Sequence, residues 1–172
     1  MYVNAILNSK LLKFFIQNGQ FNQLSTSKIA DLPIYLPDFK ANELSNNYNE
    51  VVNYCKHLIE ITTKSNTLFD KFYYYIKSSF SNNIDITKLQ NWHELTFAAF
   101  INELNKAIKT AKGTPLTKLQ EMEWMEVFET KKKEALELKA EIEKTDKEID
   151  KMVYELYGLS EEEIAIVENS TK

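Results

Sequence analysis

Two stretches of the chain repeat their inward-facing positions at gaps of four and three residues. In the first, Leu44, Tyr48, Val51, Cys55, Leu58, Thr62, Ser65, Phe69, Phe72 and Ile76 keep that spacing, and Val52, Ile59, Leu68 and Tyr73 widen the stripe. In the second, Trp124, Phe128, Ala135, Leu138, Ile142, Thr145, Ile149, Met152 and Leu156 keep it, with Lys131 at the one interrupted position. A period near 3.5 residues lays one edge of a helix along a partner, so the pattern predicts two long helices, over residues 41–80 and from Pro115 to Gly158. Between the apolar positions of the second run the chain is almost wholly charged, through Glu134, Glu137, Lys139, Glu141, Asp146, Asp150 and Lys151, which predicts solvated flanks. Lys131 and Thr145 at inward positions weaken a long two-stranded coil and act on its register or orientation. The two seams pair as an antiparallel hairpin within one chain, the favoured arrangement, or across the axis of a homodimer.

Shorter patterns fill in the rest. Val3, Ile6, Leu7, Leu11, Phe14 and Phe15 fall on one helical face over residues 2–17, and Asn18-Gly19 supplies a stop, so one amphipathic helix is expected there. Residues 20–27 read as a polar loop before a single turn at 27–30. Leu32-Pro33-Ile34-Tyr35-Leu36-Pro37 alternates between prolines that cannot donate to a ladder, which allows at most a minimal edge strand near 33–36. Ser81-Asn82-Asn83 breaks the first long helix, and residues 84–94 form a connector with room for one turn. Thr96 is placed to cap a helix carrying Phe97, Phe100, Ile101, Leu104 and Ile108, which Lys112-Gly113 ends. Ser160 with Glu163 three residues on is a capping box for a last short helix through Ile164, Ile166 and Val167. The aromatic half of the first long helix is thicker than a two-helix seam requires, so the shorter helices are expected to pack there. The fold class is mainly α.

Composition agrees and adds bounds. Three glycines and three prolines in 172 residues leave few tight turns or strands. A net charge of -4 and a pI near 5.4 argue against a basic surface over the whole chain, though a local patch is compatible with them. The single cysteine, Cys55, excludes an intrachain disulfide and, lying in an apolar repeat, reads as a buried small hydrophobe. No apolar run reaches the ~18 residues of a membrane span, and Lys10 and Lys13 interrupt the only N-terminal stretch that resembles a signal peptide. A cytoplasmic protein is expected, with no membrane partner.

Catalytic chemistry has little to stand on. His57 and His93 are the only histidines, and neither has the Cys, His or carboxylate spacing of a metal site. Cys55 and His57, two apart on a helix, do not face each other as a dyad must. Three scattered glycines make no phosphate-cradling loop. The carboxylates at 134–163 alternate with lysines at helical spacing, the signature of a solvated face. No catalytic residue and no metal ligand are assigned.

Three local sequences nevertheless resemble a known group. Leu7-Asn8-Ser9-Lys10-Leu11-Leu12, followed by Leu32-Pro33-Ile34-Tyr35-Leu36-Pro37 and a long helix, resembles the end of the target recognition domains of restriction-modification specificity proteins, including the TaqI-like ones. Residues 144–150, Val153-Tyr154-Glu155-Leu156-Tyr157-Gly158-Leu159 and Glu161-Glu162-Glu163-Ile164 are similar to the C-terminus of fused type IIG restriction-modification enzymes and their adenine methyltransferase relatives. Trp92-His93-Glu94-Leu95-Thr96-Phe97 and Glu121-Met122-Glu123-Trp124-Met125 are similar to the same group.

The resemblance implies a fragment. Such enzymes transfer a methyl group from S-adenosylmethionine to adenine N6 using an Asn-Pro-Pro-Tyr type motif, and some add a magnesium-dependent nuclease. The chain has neither that motif nor a glycine-rich cofactor loop. On this reading residues 1–40 are the end of a target-recognition region and 41–172 a helical spacer, in one structural unit. The chain itself does no chemistry, needs no cofactor, and serves double-stranded DNA recognition for an upstream methyltransferase domain of the same polypeptide. Lys10, Lys13, Gln17, Asn18, Gln20, Asn22, Gln23 and Lys28 cluster near the recognition-like end, where lysines suit phosphates and amides suit base edges. The alternative is a self-associating helical coiled-coil module, a homodimer through the long helices with no DNA role.

Overall fold

A computed structural model describes residues 1–18, 34, 42–80 and 84–171, with side chains in the 42–80 stretch from Tyr48 onward. Among these residues all regular structure is helical. Six α-helices follow one another: α1 (Tyr2–Asn8), α2 (Lys10–Asn18), α3 (Asn42–Phe80), α4 (Phe97–Thr110), α5 (Lys118–Tyr157) and α6 (Glu161–Ser170). Single 3-10 turns at Thr87–Leu89 and Trp92–Glu94 occupy the connector. There is no strand among the described residues. The expected edge strand and the loop and turn at 20–30 lie outside them, apart from Ile34, which belongs to no regular element.

The two long helices, of 39 and 40 residues, are each roughly 60 Å long at 1.5 Å per residue, and they pack together. Their antiparallel sense follows from the contacts: Tyr75 and Phe80 near the end of α3 meet Trp124 near the start of α5, while Val51 and Cys55 share a cluster with Ile149 and Val153. The seam departs from the sequence pattern in one stretch. After Leu58 the buried positions are Ile61, Leu68 and Phe72, whereas Thr62 is exposed and Phe69 only half-buried. Phe69 instead sets its ring against Trp92 and His93, with centroids 5.4 and 5.0 Å apart, so the connector takes the side chain expected in the seam.

Two compact units are resolved, Met1–Glu60 with Ile142–Lys172 and Ile61–Glu141. In the second, α4 and the two 3-10 turns close over the aromatic end of α3: Trp92 lies 4.2 Å from Phe72 and Phe100 lies 4.6 Å from Phe128, all fully or almost fully buried. Thr96 caps α4 as expected, its Oγ1 accepting from the Ala99 N–H at 3.2 Å. In the first unit, Tyr2, Ala5, Ile6 and Leu11 pack with Val51, Cys55, Ile149, Val153 and Val167. The capping box of α6 is complete, with Glu163 N–H donating to Ser160 Oγ at 3.3 Å and Ser160 N–H to Glu163 Oε2 at 2.8 Å.

The N-terminal helix expected over 2–17 is divided at Ser9, whose ψ of 155° is extended. Ser9 Oγ donates to the Ile6 carbonyl at 2.7 Å, and the Ser9 carbonyl accepts from Lys13 N–H as α2 begins. The Lys10 N–H donates to Asp150 Oδ1 at 2.8 Å. Asp150 is therefore buried, at 4% exposure, and not on the solvated flank where its charge would place it. The break also reorients the apolar face: Tyr2, Ala5 and Leu12 are buried, while Val3 and Phe15 are exposed.

Candidate nucleic-acid interface

Helix α2 presents two sides. Leu11 and Leu12 are buried; Lys13 and Gln17, which face away from them, are exposed, and so is Asn18 at the end of the helix. Lys13 and Gln17 are four apart and so share a face. Asn18 Nδ2 donates to the Phe14 carbonyl at 3.0 Å. Of these three predicted contact residues, Lys13 and Gln17 share a face, and Asn18, seven residues after Leu11, lies on the side of that buried leucine.

Lys10 is placed differently. Its Nζ donates to Glu168 Oε2 at 2.5 Å with only 27% of the side chain exposed, so its charge is used within the fold. That hydrogen bond raises the Lys10 ammonium above its ordinary value, against the opposing effect of burial. Burial works against ionisation of Glu168, but the hydrogen bonds from Lys10 and from Tyr154 Oη, the latter 2.9 Å long, outweigh it and hold the carboxyl below its ordinary range. Burial, followed by the Glu168 bond, pushes the Tyr154 phenol up strongly. At Asp150 burial dominates and raises the carboxyl, despite the Lys10 N–H. The polar cluster of Lys10, Asp150, Tyr154 and Glu168 thus clamps the start of α2 to α5 and α6. Gln20, Asn22, Gln23 and Lys28 lie outside the described residues.

Sequence reasoning missed the clamp. Lys10 sits 140 and 158 positions from Asp150 and Glu168, and only Asp150 and Tyr154, four apart on α5, share a spacing. The one available signal was Asp150 directly beside the inward-facing Ile149.

The basic run Lys131-Lys132-Lys133 is committed locally. Lys131 pairs with Glu134 at 2.8 Å, Lys133 lies 3.9 Å from Glu137, and Lys132 donates to the Leu95 carbonyl at 2.6 Å and sits over the Phe128 ring. Cys55 is buried, and that burial pushes its thiol up, away from the thiolate a nucleophile needs. His57 is exposed, so the two do not converge. No group of three His, Cys, Asp or Glu close enough to hold a metal ion occurs among the described residues, and none of their helices is long and apolar enough to cross a membrane.

A family described as a domain of unknown function (DUF8810) matches residues 44–153, which takes in α4, most of α3 and most of α5. No curated protein and no solved structure matches the chain.

Proposed function

The chain belongs to the DUF8810 family, and we propose that it is the DNA-specificity and spacer part of a restriction-modification adenine methyltransferase. In this reading the upstream domain of the same polypeptide holds S-adenosylmethionine and transfers the methyl group, and this chain does no chemistry. It fixes the position of a DNA-reading segment on a pair of long helices.

One observation carries the proposal. The segment that resembles the end of a target recognition domain, Leu7 to Leu12, is tied to α5 and α6 by the Lys10 N–H bond to Asp150 and the Lys10–Glu168 ion pair. A reader of base edges needs this kind of mount, because major-groove hydrogen bonds tolerate displacements of only a fraction of an ångström to an ångström. The clamp consumes Lys10 and leaves Lys13 and Gln17 exposed on the outer face of α2, with Asn18 exposed at its end. Lys13 then meets a phosphate, and the two amides suit base edges or sugar-phosphate oxygens.

Fluorescence anisotropy of a labelled duplex titrated with the chain at several salt concentrations tests this. Binding should weaken linearly in log–log form as salt rises, and Lys13→Ala should lower that slope by about one. Lys13→Ala with an unchanged slope, or no salt-dependent association at all, contradicts the proposal.

A further inference from the structure

The first three turns of α5 differ from the rest of that helix in their charge. Residues 119–130 hold four glutamates and no lysine or arginine, whereas from Lys131 onward lysines are interspersed with the carboxylates. Glu121, in the first turn where the helix dipole favours an acid, is bonded by Lys118 and Asn105. Glu123, Glu126 and Glu129 lie beyond that turn, follow one another at gaps of three, and form no hydrogen bond or ion pair with any described residue. The nearby lysines are engaged elsewhere: Lys131 on Glu134, Lys132 on the Leu95 carbonyl and Lys133 toward Glu137. A second row, Leu119, Met122 and Met125, runs four residues before the first, also at gaps of three, and is exposed at 69%, 68% and 42%. Residues three and four apart are neighbours on a helix surface, so an apolar ridge and an acidic ridge lie side by side. We infer that this face of α5 is a docking surface for a basic amphipathic helix of a partner protein.

Charge and spacing select that occupant. Three neighbouring carboxylates without counter-charges repel one another along the helix, and the lysines or arginines of a docked partner relieve that repulsion. Nucleic acid and anionic lipid carry the same sign as the face and are turned away from it. The apolar ridge supplies the contact that a pairing of charges alone would lack. Its two methionines are flexible and polarisable, and adapt to the apolar stripe of an incoming helix. Side chains three residues apart stand about 4.5 Å apart along the axis, which matches the ridges of another helix and not the roughly 7 Å between same-face residues of a strand. Trp124 and Phe128, from the same turns, are buried in the core of the second unit, so the ridges stand on a fixed base.

None of these residues is a DNA contact of the proposed function and the test contains no DNA, so the two fail separately. The four methionines of the chain provide the readout, since Met122 and Met125 lie on the face while Met1 and Met152 lie off it. The whole chain, carrying carbon-13 in its methionine methyl groups, is titrated with a synthetic helical peptide of leucine and lysine whose leucines share one side. The Met122 and Met125 signals should shift and those of Met1 and Met152 should stay, with a dissociation constant that rises with salt. Replacing the peptide's lysines by glutamates should abolish the shifts. Glu123→Gln, Glu126→Gln and Glu129→Gln together should weaken binding by about tenfold, and Leu119→Gln with Met122→Gln should weaken it with the charge left in place. All these positions are exposed, and circular dichroism of each variant checks that the helices persist. Shifts at all four methionines or at none, binding indifferent to salt or to the triple substitution, equal binding of the acidic peptide, or self-association of the chain through Met122 and Met125 without peptide would each overturn the inference.

Discussion

Asp150 holds a carboxyl in a place where water has been removed, where it accepts the bond from the Lys10 N–H and feels the charge of the Lys10 ammonium. Removing the acceptor by Asp150→Ala strands that N–H, at a cost of about 1–3 kcal/mol. Asp150→Asn keeps an acceptor and drops the charge. Because burial raises the folded-state carboxyl above its ordinary 3.8, the ionised group costs stability increasingly as pH rises through the interval between the two values. Urea denaturation should therefore find Asp150→Asn at least as stable as wild type at neutral pH, with the advantage gone below the ordinary carboxyl range. His93 runs the other way. Its side chain is 11% exposed, its ring stands edge-on to Phe69, and burial followed by Lys139 and Lys132 lowers it against the pull of Glu94. The contribution of a neutral buried imidazole is present above the ordinary 6.5 and is lost as pH falls through the lower folded-state value. Wild type should lose stability over that window relative to His93→Gln, and parallel curves would contradict it. Neither residue's environment was legible in the sequence: Asp150 is buried by a segment 140 positions away, and His93 by an α3 ring that the heptad pattern assigns elsewhere.

At the scale of elements, helix ends show how a correct expectation can rest on the wrong residue. Lys112-Gly113 does end α4, but the left-handed residue is Lys112, at φ 62°, and not the glycine. Gly113 N–H reaches back to the Ile108 carbonyl at 2.9 Å, and a Cβ on Gly113 would lie 2.9 Å from Ile108 Cγ2. Glycine is needed there for close approach, since Ile108 is buried and has little room to move. Lys112→Gly should stabilise by about 0.5–1 kcal/mol by relieving the left-handed strain, net of unfolded-state entropy. Gly113→Ala should destabilise by about 1 kcal/mol or more. Equal effects of the two in thermal denaturation would contradict the assignment. At the end of α5 the usual arrangement holds, with Gly158 itself at φ 64° and Leu159 N–H bonded to the Tyr154 carbonyl. The long helices were legible because their period is sustained over many turns and few alternatives share it. The division at Ser9 was not, because what stabilises the break is an acceptor on α5 and not anything in residues 2–17.

For the whole molecule, the helical class follows from scarce glycine and proline together with two sustained seams, and the long-helix pairing follows from the same pattern. Function does not follow from periodicity. The residues proposed to meet DNA include Lys13, Gln17 and Asn18 on one short helix, and their meaning depends on a resemblance in local sequence and on the clamp that holds that helix in place. With a net charge of -4 the chain has no general attraction for DNA, so under the proposed function its affinity is local and adds to that of the proposed upstream domain. That makes the adenine methylation pattern of the native genome the most direct readout. Single-molecule sequencing should show N6-methyladenine at one recurrent sequence in cells carrying the intact gene, and loss of that methylation when the segment encoding this chain is deleted while the upstream domain is still produced. A methylation pattern unchanged by the deletion would contradict the assignment of a DNA-specificity role.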